Sequence, residues 1–156
     1  YAAGTFGMDF SDLVIFGIGM NVTAGLGATA FAWIDDWAGP KRTVVISLLC
    51  MAVLGSVIIF VDSKAAFLVF TLALGVFVGP TQAASRSMMA HLAPAAIRTE
   101  MFGFYALSGK ATAFVGPAIL AWVTAAADSQ RAGMATIIAF FLVGLILLLR
   151  VPEVRR

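Results

Sequence analysis

Apolar residues occur along this chain in five long runs, and short polar segments separate them. An α-helix needs roughly 20 mostly apolar residues to cross the hydrocarbon core of a bilayer, which is about 30 Å thick. Each of the five runs is close to that length. The pattern therefore predicts five transmembrane helices, at residues 13–34, 43–61, 66–89, 101–125 and 133–149.

The composition supports an all-α membrane protein. Hydrophobic residues make up 62% of the chain, charged residues make up 12%, and the mean hydropathy is +1.01. A soluble domain of this size needs more charge to cover its surface, whereas the lipid-facing surface of a membrane bundle is apolar. The net charge of +2, with no basic helix that also bears aromatic residues, argues against a nucleic acid partner. We therefore expect a polytopic bundle of transmembrane helices.

Lysine and arginine are concentrated at one end of the predicted bundle. The residues at that end are Lys41, Arg42, Arg86, Arg98, Arg150, Arg155 and Arg156. Only Lys64 and Arg131 fall at the opposite end. Because positive residues accumulate on the cytoplasmic side of membrane proteins, Tyr1 is predicted to lie outside and the C-terminus inside. The chain opens without a starting methionine or a cleavable signal peptide, which suggests a fragment of a longer protein.

The predicted spans differ in polarity. The second and fifth are apolar nearly all round, as expected of helices that face lipid over most of their surface. The first, third and fourth are rich in small and hydroxyl residues, which indicates contact with protein or water. Gly75 and Gly79 form a Gly-x-x-x-Gly pair, which lets helix backbones approach closely. Two stripes on the first span indicate neighbours on both sides: Gly17, Asn21 and Gly25, and Gly19, Thr23 and Gly27.

Lys110 lies near the middle of the fourth span. A lysine at the centre of a bilayer costs about 2.5–3.5 kcal/mol on insertion scales, so its side chain should face protein or water. The helix itself offers no acidic partner on the face of Lys110. The partner is then an anionic substrate or a group on another helix. The alternative is a structural lysine that reaches the interface or binds carbonyl groups.

No motif in the sequence indicates an enzyme. There is no nucleophile elbow, phosphate-binding loop or paired-carboxylate site. His91 has no second ligand at metal-site spacing, and Cys50 is the only cysteine, so no metal, cofactor or internal disulfide is expected.

The loop after the first span reads Ala-Trp-Ile-Asp-Asp-Trp-Ala-Gly-Pro-Lys-Arg from residue 32. It resembles the signature that the major facilitator superfamily has between its second and third helices and again between its eighth and ninth. Four positions agree with that signature: Asp36, Gly39, Lys41 and Arg42. Ala32 stands in place of the first glycine, and Trp37 in place of the first basic residue. The resemblance implies a cytoplasmic gate, with Arg86 as one candidate partner for Asp36.

Further segments look like the vacuole-effluxer-like branch of that superfamily. They are residues 1–7, 21–27, 79–87, 98–100, 105–114 and 129–134. The resemblance implies that the five spans are helices eight to twelve of twelve, and that residues 1–7 end the seventh. It also implies that helices eight, ten and eleven surround the cavity. Fungal members are associated with amino-acid efflux from the vacuole, which makes amino acids a candidate substrate class.

Together these observations predict the C-terminal half of a secondary transporter that moves small solutes by alternating access in a bacterial inner membrane. Its expected partners are the lipid bilayer, the N-terminal half and a solute, with a proton as candidate coupling ion. The cavity residues are predicted to be Asn21, Thr23, Gln82, Ser108, Lys110 and Thr112. The gate residues are predicted to be Asp36, Gly39, Lys41, Arg42 and Arg86. A non-transporting scaffold, or a pore built from several copies, remains an alternative.

Overall fold

The computed structural model describes residues 1–152, so Arg155 and Arg156 of the orientation prediction lie outside the described residues. Five helices in this part are long and apolar enough to cross a membrane, which confirms the predicted all-α class with five membrane-length helices. The elements are α1 (Ala2–Phe6), α2 (Phe10–Ala38), α3 (Pro40–Phe60), α4 (Lys64–Leu92), a 3₁₀ turn (Ala95–Ile97), α5 (Arg98–Ala127) and α6 (Gln130–Arg150).

Local signals in the sequence explain where the helices begin and end. The side chain of Asp9 accepts a hydrogen bond from the backbone N–H of Asp12, with 2.8 Å between the nitrogen and Oδ1, and this caps the start of α2. Gly39 separates α2 from α3 and has a φ of 87°, which a residue with a side chain rarely adopts. Pro40 follows as the first residue of α3, where its missing N–H removes no helical hydrogen bond.

Consecutive long helices run in opposite directions, and α4 lies near the centre of the bundle. α4 packs most extensively against α2 and α3, while α6 packs against α3 and α5. The bundle thus has two ends. At the Lys41 end, α2, α4 and α6 finish and α3 and α5 begin; at the Lys64 end, the directions are reversed.

Glycines bring the backbones of α2 and α4 into direct contact. A side chain at Gly27 would overlap the carbonyl of Val76, and one at Gly79 would overlap the carbonyl of Ala24. Pro80 has no N–H to donate to the Val76 carbonyl, so the close approach occurs where the helix lacks a hydrogen bond. The close approach expected of the Gly-x-x-x-Gly pair is therefore present.

The two glycine stripes of α2 have different surroundings. Gly19 and Gly27 face α4, whereas a Cβ atom at Gly17 or Gly25 would meet nothing within 4 Å among the described residues. The sequence indicated neighbours on both sides of this helix. One of the two stripes has its neighbour within this part of the chain, and the other is open.

The sequence indicates that α3 can face lipid over most of its surface, and the structure adds that one face of this helix is packed. α3 has more buried residues than any other span in the described part of the chain. Small residues such as Thr43, Ser47 and Gly55 form a face that packs into the bundle. Only the opposite face is lipid-like, with exposed Leu49 and Val53. The high mean hydropathy of α3 does not distinguish its packed face from its lipid-like face. Small and hydroxyl residues among valines and leucines are typical of a face that packs against another helix.

Candidate functional site

The surface of α5 is the most open part of the bundle. None of its 30 residues is buried among the described residues. Three predicted cavity residues, Ser108, Lys110 and Thr112, are exposed on this helix. The Ser108 hydroxyl donates to the carbonyl of Tyr105, and the Thr112 hydroxyl donates to the carbonyl of Ser108, each with an oxygen–oxygen distance of 2.8 Å. Both hydroxyl protons are thus used within α5, and the lone pairs of the oxygens are left to accept.

Lys110 makes no hydrogen bond or ion pair with any residue in the range 1–152. It lies twelve residues after Arg98, or about 18 Å along the helix axis. Ser108 and Thr112 project from a different side of α5, since residues two apart are separated by about 200° around a helix. The structure therefore keeps the ammonium group apart from these two hydroxyls.

The cavity candidates on α2 also divide into two environments. Asn21 is exposed, and its amide nitrogen donates to the Gly17 carbonyl at 2.8 Å. Thr23 is half-buried, its hydroxyl donates to the Met20 carbonyl at 3.0 Å, and its oxygen lies against Gly75 of α4. Thr23 thus belongs to the contact between α2 and α4, whereas Asn21 lies on the open side of α2.

A hydrogen bond between Ser85 of α4 and Tyr105 of α5 joins two predicted cavity helices. The two hydroxyl oxygens are 2.7 Å apart. Gln82 lies one turn from Ser85 and Ser108 lies one turn from Tyr105, in both cases toward the Lys64 end. The bond therefore brings Gln82 and Ser108 to the same depth on neighbouring helices. No pattern in the sequence predicts this pair, although both hydroxyls lie in segments that resemble the transporter family.

At the Lys41 end, Lys41 binds the last turn of α6. Its Nζ donates to the carbonyl of Val151 at 2.6 Å and lies 3.4 Å from the carbonyl of Leu149. The last carbonyls of a helix have no donor within it, and positive charge is favoured there by the helix dipole. A basic residue of the loop signature thus fastens the start of α3 to the end of α6.

The remaining gate candidates are spread over the same end of the bundle. Asp36, Arg42 and Arg86 are exposed, and Gly39 forms the turn between α2 and α3. Within residues 1–152, Arg86 makes no hydrogen bond or ion pair, so the suggested pairing of Arg86 with Asp36 is not formed in this structure.

Asp35 was not among the predicted site residues, yet its environment is unusual. It lines a cavity of about 170 Å³ between α2, α3 and α4, together with Asp36, Thr43 and Pro80. Its Oδ1 atom is buried and has no hydrogen-bond partner among the described residues. The signature led sequence analysis to Asp36, and the only available signal for Asp35 was a second carboxylate beside it.

A larger cavity, of about 550 Å³, lies near the Lys64 end between Tyr1, α5 and α6. Ala121 and Thr124 of α5 line one wall, and Gln130 of α6 lines another. Its lining combines apolar and polar side chains, and its volume falls in the range that holds small organic molecules. Among residues 1–152, no group of three or more histidine, cysteine, aspartate or glutamate side chains could hold a metal ion.

Comparison with known proteins agrees with these features. A protein family described as "Vacuole effluxer Atg22 like" matches residues 1–156. A curated relative in Bacillus subtilis (strain 168), named "Uncharacterized MFS-type transporter YxiO", is 30% identical over 94 residues. That match covers 60% of this chain and 22% of the relative, so the chain aligns with only a minor part of the relative's length. No solved structure matches the chain.

Proposed function

The chain belongs to the vacuole effluxer Atg22-like family, and we propose that it forms the C-terminal half of a secondary transporter that moves small solutes by alternating access. Its membrane-spanning helices and its relationship to an MFS-type transporter make it an integral membrane protein of a transporter family. The proposal that it is one half of that transporter rests on the resemblance of its five spans to helices eight to twelve of twelve.

The observation that most favours transport is the open, polar surface of α5. A span of 30 residues with none buried leaves its surface to lipid, water or a further helix, and its polar residues favour water or a helix. The central Lys110 faces no partner within the described chain, which is typical of a residue that lines a solute pathway. We place the solute near the bilayer midplane, between this surface and the missing half. Asn21 and Gln82 then supply hydrogen bonds to the solute, while Ser108 and Thr112, on a different side of α5 from Lys110, contact a different part of the cavity.

We assign the gate to the Lys41 end. Rocking of the two halves would open and close the cavity beside Asp36, Arg42 and Arg86, while Gly39 keeps the α2–α3 loop tight. We place this end in the cytoplasm of a bacterial inner membrane because it holds most of the positive residues. Amino acids are the first substrate class to test, and the proton is the first coupling ion.

One observation favours the alternative of a non-transporting scaffold. Gly17 and Gly25 leave a strip of α2 open to the close approach of another helix. A scaffold would associate through this strip and show no solute-dependent behaviour, even as the full-length protein.

Solute flux in the full-length protein tests the proposal. In proteoliposomes, we expect saturable uptake of at least one amino acid that depends on a proton gradient. Lys110→Met should reduce that flux about 10-fold or more, because the solute loses a charge-assisted hydrogen bond. Cys50→Ser, on the second span, is the control and should retain flux. Absence of flux for every amino acid, with or without the gradient, would favour the scaffold.

A further inference from the structure

One lysine of the described chain differs from the other charged residues in its distance from the helix ends. Among residues 1–152, Lys110 is the only charged side chain more than two helical turns from a helix end. The carboxylates of residues 1–152 all lie in first or last turns or between helices: Asp9, Asp12, Asp35, Asp36, Asp62, Glu100 and Asp128. The described part of the chain therefore contributes a positive charge, and no negative one, to the middle of the membrane.

The groups near Lys110 on α5 cannot satisfy its ammonium. Leu107 and Phe114 share its face and are exposed apolar side chains, 62% and 79% accessible. An ammonium group offers three donors, and leaving them without acceptors at depth is costly. The acceptor must come from outside the described chain, as water, as a group on another segment, or as a ligand.

The same face of α5 connects Lys110 with the larger cavity. Residues 110, 114, 117 and 121 follow one another at helical spacing, and Ala121 lines the cavity of about 550 Å³. Ala121 lies about 16 Å along the helix from Lys110. This cavity thus lies on the side of α5 from which Lys110 projects. Polar groups such as Thr124 and Gln130 are part of its wall.

We propose that Lys110 binds an anionic group of the transported solute, a carboxylate or a phosphate. This inference rests on the proposed transport function and adds the charge of the solute to it. A small anion offers oxygen acceptors to the ammonium group and neutralises a charge that is otherwise unpaired at depth. A solute of the same shape without the negative charge leaves that charge unpaired, so it should bind much more weakly.

Matched pairs of solutes test this inference in the full-length protein. The pairs are acetate with acetamide and L-leucine with L-leucinamide, and in each pair only the first solute has a carboxylate; inorganic phosphate is added as a further anion. Proteoliposomes are made of phosphatidylcholine alone, so that no anionic lipid headgroup can serve as the partner. We expect the carboxylate-bearing member of a pair to be transported, or to compete, at a concentration about 10-fold or more below that of its amide.

The variants Lys110→Met and Lys110→Arg identify the lysine as the source of this preference. Lys110→Met should abolish it, Lys110→Arg should retain it, and Lys64→Met controls for the loss of a lysine at a helix end. The unfolding midpoint of the purified protein gives a second readout that needs no flux. Anions should raise that midpoint in the natural protein and in Lys110→Arg but not in Lys110→Met.

Two outcomes would overturn the inference. If the protein transports amides as well as anions, or if Lys110→Met keeps the preference, then Lys110 does not bind the solute's anion and the transport function stands. In that case a carboxylate of the missing half becomes the expected partner of Lys110. If no solute is transported, the proposed function fails, and equal unfolding midpoints with anions and amides then reject the anion site as well.

Discussion

Lys41 occupies the second position of α3, where its positive charge opposes the dipole of its own helix. The structure explains this placement, because the ammonium group of Lys41 lies at the C-terminal end of α6, where the helix dipole favours a positive charge. The sequence showed a basic residue in a cytoplasmic loop, and the family signature assigned it to a gate. Neither could show that the nearest acceptors are carbonyls of residues about 110 positions away along the chain.

Removing the Lys41 ammonium should therefore loosen α6. Lys41→Met is expected to lower the free energy of unfolding by about 0.3–1 kcal/mol, the usual contribution of a cation at a helix C-terminus. Hydrogen exchange should accelerate at the backbone amides of the last turn of α6. Lys41→Arg, which also has a donor at its tip, should restore most of the protection. Unchanged exchange in Lys41→Met would show that the bond to Val151 does not hold the helix end.

Asp35 illustrates the limit of sequence analysis at the residue scale. A pattern of residue types distinguishes Asp35 from Asp36 only through their spacing to Gly39, and that spacing selected Asp36. The property that makes Asp35 unusual is a buried oxygen without a partner, and this depends on how α2, α3 and α4 pack together. Packing of three helices is not encoded in any local run of residues.

At the scale of helices, hydrophobic length predicted every long element but not its full extent. The span predicted at residues 13–34 is part of a helix from Phe10 to Ala38. Polar residues beyond the hydrocarbon core remain helical because their backbone groups still hydrogen-bond within the helix. Helical spacing also placed the small residues of α2 on two stripes, but it could not show which stripe faces α4.

Close packing of α2 on α4 can be tested by adding one methyl group. Gly27→Ala should destabilise the protein by about 1–3 kcal/mol or prevent its accumulation, because the methyl would overlap the Val76 carbonyl and backbone cannot yield as a side chain can. Gly25→Ala, two residues away, is the matched control, since its methyl would meet no described atom within 4 Å. The measurement is the thermal unfolding midpoint of the purified protein in detergent. Equal losses in both variants would contradict the packing account.

At the scale of the whole molecule, polar bonds fasten the helices at both ends. At the Lys64 end, Lys64 pairs with Asp12 at 2.5 Å, and Arg131 pairs with Asp62. At the Lys41 end, Lys41 binds α6. The two exposed ion pairs contribute little stability individually. These contacts align the helix ends: Lys64 and Lys41 each join two helices that the chain does not connect directly, and Arg131 joins α6 to the loop between α3 and α4.

The distribution of charge between these ends predicts how the molecule sits in the membrane. The Lys41 end should be cytoplasmic and the Lys64 end external, because moving the richer set of lysines and arginines across the membrane is the less favourable topology. In a full-length protein from which every cysteine has been removed, Cys50→Ser included, single cysteines at Ser63 and at Ala96 place one exposed thiol at each end. A membrane-impermeant maleimide added to intact cells should label Ser63→Cys at once and Ala96→Cys only after permeabilisation. The background protein should not be labelled.

The reverse order of labelling would invert the orientation and place the signature loop outside. The gate assigned to Asp36, Arg42 and Arg86 would then face the external medium, while the packing of the helices would stand unchanged.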